Sequence, residues 1–330
     1  MPPIAKTHPA RQRITSKGLF TEIRGAADAP ALLFLHGGPG QGCYEFMALQ
    51  GDRLSGMARV VGLDQRGVDR SAPLAKDSGL TIADLVEDCE EARRALGIER
   101  WAVLGQSFGG GLALRYATAY PGSVTAVIFE NPVWDLVLSL RAAIPRVAAM
   151  LADRGLVSEA QAALAAVEQA PQASRAAYVA ALGALGEDRE EFFVSNPATR
   201  DRLAEVRSAR QDGEPEDDQA AGDEGSLRHH QAISGDDACY ESLLPLLPRL
   251  NVPALLIIGG SDPITSPEQR EAFRQASPVN RLLEFTDAGH FVHADLPGAY
   301  AAAVGEFLSV ASPGTGSAWP VNLNQIWEEQ

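Results

Sequence analysis

Residues 101–120 read WAVLGQSFGGGLALRYATAY, and this stretch decides the fold. An apolar run, Trp101 to Leu104, enters Gly105-Gln106-Ser107-Phe108-Gly109, and a helix-compatible segment leaves it. A serine flanked by glycines between a strand and a helix predicts a strained turn that lifts its hydroxyl above the edge of a sheet. The helix behind it supplies free backbone N–H groups and the positive end of a dipole. The competing reading is a glycine-rich turn with an incidental serine, and the strand-to-helix setting is what weighs against it.

Outward from this turn, short apolar runs alternate with helical patterns. ALLFL (31–35) runs into HGGPG, RVVGLD (59–64) into QRG, and VTAVIFE (124–130) into NP. Between them TIADLVEDCEEARRALG (81–97) carries Ile82, Leu85, Val86, Cys89 and Ala92 at helical spacing, with Thr81 placed to cap its start and Gly97 its end. Continuous apolar strands alternating with helices predict an α/β fold whose mostly parallel central sheet is flanked by helices on both faces. From about Trp134 to Arg249 the texture is Ala-rich and helical without strand-like runs, and strands resume with ALLIIGG (254–260) and RLLEF (281–285) before a last helix over about 296–310. The expected organisation is a core over 1–133 and 251–311, an inserted helical cap over 134–250, and a tail over 312–330 whose Trp319 and Trp327 dock on the body, dock on a partner, or stay loose. The acidic GEPEDDQAAGDEG (213–225) reads as a mobile loop.

The charge balance narrows the function classes. Lys plus Arg number 28 against 43 Asp plus Glu, a net −15, which argues against nucleic acid or an anionic membrane as partner. The three cysteines, Cys43, Cys89 and Cys239, are too scattered for a disulfide framework or a metal-binding CxxC pair. No apolar run reaches the roughly 18–20 residues of a membrane helix, and the basic N-terminus lacks a signal peptide's apolar stretch. A cytoplasmic protein acting on a small-molecule or short-peptide substrate is expected; the oligomeric state is not set by the sequence.

A serine hydroxyl is a weak nucleophile and needs a base, itself oriented by an acid. The strand ALLIIGG ends in Ser261-Asp262-Pro263, and RLLEF ends in Thr286-Asp287-Ala288-Gly289-His290. Ser107 as nucleophile, His290 as base and Asp262 as orienting acid therefore fall at three strand ends. His293 rivals His290, and Glu130 rivals Asp262. The oxyanion of the intermediate needs two donors, assigned to the backbone N–H of Phe108 and, from the HGGPG loop, that of Gly38. His36 is read as a structural hydrogen bonder in that loop.

These residues resemble the α/β-hydrolase superfamily, whose triad runs in the order Ser, Asp, His. HGGPG (36–40), Asp64-Gln65-Arg66-Gly67 followed by Arg70-Ser71, GQSFGG (105–110), GGSDP (259–263) and AGH (288–290) resemble, within it, the proline iminopeptidase-like serine hydrolases. The resemblance spans roughly residues 20–132 and 250–310, the insertion fitting the family's cap by position alone. It implies an α/β-hydrolase fold, the triad Ser107, Asp262 and His290, the oxyanion pair Gly38 and Phe108, removal of N-terminal residues or other aminoacyl groups, and no metal or cofactor. The alternative is a carboxylesterase or lactonase using the same machinery on an uncharged acyl group. Asp69 stands where the family has Gly, and Leu227-Arg228-His229-His230-Gln231 lacks the carboxylates with which the family holds a substrate amine. Glu130, Trp134, Asp135 and His230 are the remaining candidates for substrate binding. Arg228, His229 and His230 either line the pocket or face the acidic stretch before them.

Overall fold

The sheet is built from β1 (Gln12–Ile14), β2 (Phe20–Arg24), β3 (Ala31–Leu35), β4 (Arg59–Asp64), β5 (Trp101–Gln106), β6 (Val124–Glu130), β7 (Ala254–Gly259) and β8 (Arg281–Phe285). A computed structural model describes residues 12–15, 17–75, 79–194, 196–211, 216–277 and 280–311. The strands lie in the order β1-β2-β4-β3-β5-β6-β7-β8. β2 is antiparallel to β1 and β4, and every other pairing is parallel. Six strands were expected from their apolar runs. They read as continuous because alternate residues enter different cores: Leu33, Leu35, Val103 and Val127 on one face, Leu32, Phe34, Leu104 and Ile128 on the other.

Helices cover both faces. α1 (Ile82–Ala95) opens with a capping box, in which Thr81 Oγ1 accepts from the Asp84 N–H at 3.2 Å and the Thr81 N–H donates to Asp84 at 2.9 Å. It ends at Gly97, whose φ of +63° is the left-handed conformation a helix stop favours. α2 (Phe108–Ala119) follows Ser107 directly.

Between β6 and β7 the chain is helical: α3 (Leu136–Asp153), α4 (Val157–Ala165), α5 (Pro171–Ala184), a short turn at Arg189–Phe193, α6 (Pro197–Gln211) and α7 (Glu216–Gly235). The insertion has its own apolar cluster, in which Ile144, Val147, Leu151, Ala160 and Phe192 meet. After β7 come α8 (Pro267–Ala276) and α9 (Pro297–Ala311). Residues 216–225 correct the expectation of a loop, because they form the first half of α7. Small residues there let the helix lie against the core: a Cβ at Gly225 would sit 2.5 Å from the Gly67 carbonyl oxygen, and one at Gly40 2.8 Å from that of Ser226. The tail over 312–330 lies outside the described residues.

Asp69 and α6 add a tie between insertion and core. Asp69 has φ +53°, in the left-handed region that favours glycine, and its carboxylate accepts two bonds from Arg210, at 2.7 and 2.9 Å. Among the described residues no helix is long and apolar enough to cross a membrane.

Candidate active site

Ser107 sits at φ +55°, ψ −120°, a conformation a non-glycine residue holds only when its surroundings fix it. Its N–H donates to the Glu130 carbonyl at 2.9 Å, and its own carbonyl accepts from the N–H groups of Gly110 and Val133 at 2.9 and 3.0 Å. The flanking glycines serve close approach: a Cβ on Gly105 would overlap the Gly109 carbonyl, and one on Gly109 the Leu35 carbonyl. The start of α2 is thereby pressed between β5 and β3.

The loops after β7 and β8 bring Asp262 and His290 together. His290 Nδ1 is 2.7 Å from Asp262 Oδ1, and both residues are buried. Asp262 also accepts from the N–H groups of Thr265 at 2.8 Å and Ile264 at 3.2 Å. Burial pushes its carboxyl pKa up, but attraction to His290 and these hydrogen bonds outweigh burial and hold it below the ordinary carboxylate range. With Nδ1 turned to the carboxylate, the imidazole keeps Nε2 for another partner. The backbone is equally fixed: the His290 N–H donates to the Phe193 carbonyl at 2.9 Å, and Asn131 Nδ2 donates to the carbonyls of Gly289 at 3.1 Å and His290 at 2.9 Å. Asn131 Oδ1 accepts from Gly259 N–H at 3.0 Å, so one buried amide joins the ends of β6, β7 and β8. Sequence reading passed over Asn131, although its place directly after a strand-end acid, before a proline, was the available signal.

Ser107, Phe108, Gly38 and His290 line one cavity of about 250 Å³, roofed by residues of the insertion. Its wall is mostly apolar, with Leu140, Tyr178 and Phe193 contributed by the insertion. Burial drives the Tyr178 phenol pKa upward, so it stays protonated. Two of the substrate-binding candidates are on this wall. Trp134 packs edge-on against Phe129 and stacks on Phe273, and His230 places Nδ1 3.3 Å from the Pro39 carbonyl. Burial and the nearby Arg175 charge lower the His230 pKa.

The other two candidates are elsewhere. Glu130 is fully buried beneath the cavity, where it receives His293 Nδ1 at 2.9 and 3.0 Å, the His293 N–H at 3.0 Å and the Tyr300 hydroxyl at 2.9 Å. Asp135 caps α3, accepting the Leu138 N–H at 3.0 Å. His293, the rival base, is thus committed to Glu130. The Arg228-His229-His230 cluster divides: Arg228 pairs with Glu224, His229 Nδ1 lies 2.8 Å from the Arg66 carbonyl, and His230 reaches the cavity.

HGGPG and DQRG brace one another. The Gln65 N–H donates to His36 Nε2 at 3.1 Å, which leaves Nδ1 to donate to the Gly37 carbonyl at 2.9 Å, and burial keeps this imidazole neutral by lowering its pKa. Arg66 grips Asp88 at 2.5 and 2.9 Å, while Arg70 ties Asp64 at 2.7 Å to Glu22 at 2.8 Å. Among the described residues no cluster of three His, Cys, Asp or Glu side chains could hold a metal ion.

Comparison with known proteins agrees with this architecture. The proline iminopeptidase of Xylella fastidiosa strain 9a5c is 43% identical over 113 residues, 34% of this chain and 36% of that protein. That of Neisseria meningitidis serogroup A is 39% identical over 113 residues, again 34% and 36%. The alignments thus span about a third of the length of these curated relatives. The solved structure of a proline iminopeptidase-related protein from Thermus thermophilus superposes with a TM-score of 0.66 at 25% identity, covering 92% of this chain and 99% of that one. Residues 30–297 match the family described as alpha/beta hydrolase fold, and the chain belongs to that family.

Proposed function

We propose that this chain is a serine hydrolase that works through an acyl-enzyme on an ester or amide with a largely apolar acyl group. The observation that carries the reading is the Asp262–His290 pair, 2.7 Å long, opening on the same cavity as the strained Ser107. Ser107 Oγ attacks the substrate carbonyl as His290 Nε2 takes its proton. The negative charge on the tetrahedral oxygen is met by the N–H groups of Phe108, at the start of α2, and Gly38. Collapse expels the leaving group with the proton from His290. Water, deprotonated by the same imidazole, then releases the acid and restores Ser107. Asp262 stays ionised throughout and holds the imidazole tautomer, a role its lowered pKa suits. The insertion acts as a cap that excludes water and shapes the acyl pocket.

A second reading of the substrate, an N-terminal aminoacyl amide, is favoured by kinship with the proline iminopeptidases. It requires an acceptor for a free ammonium group. Among the described residues the one carboxylate on the cavity wall is Glu241, which Arg115 already holds at 3.3 Å. The pocket therefore supports the first reading better.

Matched panels separate the two: nitrophenyl esters, prolyl and alanyl anilides, and their N-acetyl forms, with Ser107→Ala as blank. Hydrolysis of esters and acetylated amides at rates equal to or above the free-amine anilides is expected. Cleavage confined to free-amine anilides would overturn the choice of substrate, and wild-type rates in Ser107→Ala would overturn the mechanism.

A further inference from the structure

One face of α5 turns toward the cavity: Arg175, Tyr178, Val179 and Leu182 all line it, spaced as neighbours on a helix surface. Three of these suit an apolar pocket, and the guanidinium does not. Arg175 is half-buried, and its polar contact is a weak acceptor, Cys239 Sγ at 3.6 Å. Among the described residues no carboxylate lies within ion-pairing distance of it, in a chain with 43 acidic residues and a net charge of −15. Arg115, the wall's other guanidinium, is occupied by the Ala238 carbonyl at 2.6 Å and by Glu241. The wall thus holds two guanidinium groups against one carboxylate. That carboxylate is itself 65% exposed and turned to solvent. The Arg175 charge reaches its neighbours, reinforcing the lowered His230 pKa and opposing the rise that burial gives the Cys239 thiol.

Half-buried on an apolar wall and without a counter-ion, this guanidinium keeps N–H donors available to a ligand that carries a negative charge. A guanidinium is matched to a carboxylate, which takes two parallel N–H bonds from it. An ammonium group in the same place would be repelled.

We propose that Arg175 is an anion subsite of this cavity, and that the substrate is an acyl ester or amide whose acyl chain ends in a carboxylate beyond an apolar segment. The inference rests on the hydrolase reading above. The carboxylate docks on Arg175 while the scissile carbonyl meets Ser107, so the apolar segment spans the wall between them. Hydrolysis adds water across the scissile bond, leaving the second carboxyl group on the acyl chain and the proton on the leaving alcohol or amine.

The test pairs nitrophenyl half-esters of a graded series of linear dicarboxylic acids with the uncharged monocarboxylic esters of equal length. At the best-fitting length the anionic ester should be favoured at least about tenfold in kcat/KM, the scale of one charge-assisted contact. Arg175→Met should bring that ratio to about one or below, and Arg175→Lys should keep part of it. Because the ratio is internal to each variant, a partly unfolded preparation does not imitate the effect. A phosphonate-ended ester preferred over the carboxylate would overturn the assignment of a carboxylate. Ser107-dependent cleavage with a wild-type ratio near one, or a ratio unchanged in Arg175→Met, would remove the anion subsite alone. Failure to cleave either ester, with Ser107 unlabelled by a fluorophosphonate, would instead remove the hydrolase reading.

Discussion

Two histidine–carboxylate pairs have their histidines three residues apart in the sequence, and they differ in everything but their chemistry. His290 and Asp262 meet at 2.7 Å on loops after β8 and β7, and His290 lines the cavity. His293 and Glu130 meet at 2.9 Å beneath it, with a Tyr300 hydroxyl completing the carboxylate's shell and Phe46 and Phe291 packed edge-on against the imidazole. A carboxylate on an imidazole is therefore not by itself the mark of a catalytic base. What separates the pairs is access: the first faces a space that holds a serine and room for a substrate, and the second is sealed in the core.

The largest effect should come from disturbing the pair that opens on the cavity. Ser107→Ala and His290→Ala are expected to lower kcat/KM on any cleaved ester by about ten-thousandfold or more, with melting temperatures near wild type, because such groups act as a unit. His293→Gln, measured beside them, should keep its turnover per folded molecule within about tenfold of wild type, as expected of a group that touches no substrate. If His293→Gln abolished turnover while His290→Ala spared it, the roles of the two imidazoles would be exchanged.

The buried pair should answer in stability. Glu130→Ala would leave the His293 imidazole, the His293 N–H and the Tyr300 hydroxyl without their acceptor inside the core. Breaking a buried pair of this kind costs about 3–5 kcal/mol, read from urea unfolding. A fully stable Glu130→Ala that had lost turnover would make Glu130 the orienting acid in place of Asp262.

A third buried histidine shows what the carboxylates contribute. His229 has a carbonyl at Nδ1 and, among the described residues, no partner at Nε2, and burial lowers its pKa to about 4. The unfolded chain takes up this proton near the ordinary value of about 6.5, so folding is favoured above that pH and loses support as pH falls toward 4, by about 1.4 kcal/mol per unit at most. Asp69 works in the opposite direction, since burial raises its carboxyl to about 6 and the folded state gains protons on acidification. The net slope is thus a difference, and the informative quantity is wild type minus His229→Gln. That subtraction should leave stability falling on acidification from pH 7 to pH 5. An identical pH dependence in both proteins would mean that folding leaves the His229 pKa unshifted.

How much of this was open to sequence reading follows the same line between backbone and docking. Five of the expected strands could be read because burial on both faces leaves a nearly unbroken apolar run, and β8, an edge strand with Glu284 exposed, was legible from Leu282, Leu283 and Phe285. β2, FTEIR, escaped because Glu22 sits at its centre and Arg24 at its end, and they are tolerated there only because they pair at 2.6 Å and Glu22 also holds Arg70 from another loop. Ser107, Asp262 and His290 were legible as strand-end residues, since such turns are set by local chain geometry. Glu130 occupied an equivalent position, and no local signal distinguishes an acid facing the cavity from one facing Tyr300 on α9. Arg175, Tyr178 and Phe193 were out of reach for a further reason: their place on the wall depends on how a helical insertion docks. The acidic start of α7 was misread because composition suggested a loop, whereas Gly222 and Gly225 permit contact with Asp69 and Gly67.

The smallest test concerns the hydroxyl that closes the buried pair. Tyr300 is fully buried, donates to Glu130 at 2.9 Å, and has its pKa driven far upward by burial and by that carboxylate. Tyr300→Phe keeps the ring and its edge contacts with Phe46 and His293 but removes one of the donors to a carboxylate that retains three contacts with His293. A hydrogen bond to a charged group is worth about 1.5–3 kcal/mol, and the lower end applies where the remaining donors close in on the acceptor. Unfolding should therefore shift by about 1.5 kcal/mol, with turnover unchanged. A larger loss, equal to that of Glu130→Ala, would mean that the tyrosine rather than the histidine holds Glu130 in place, and the likeness between the two pairs would then end at their atoms.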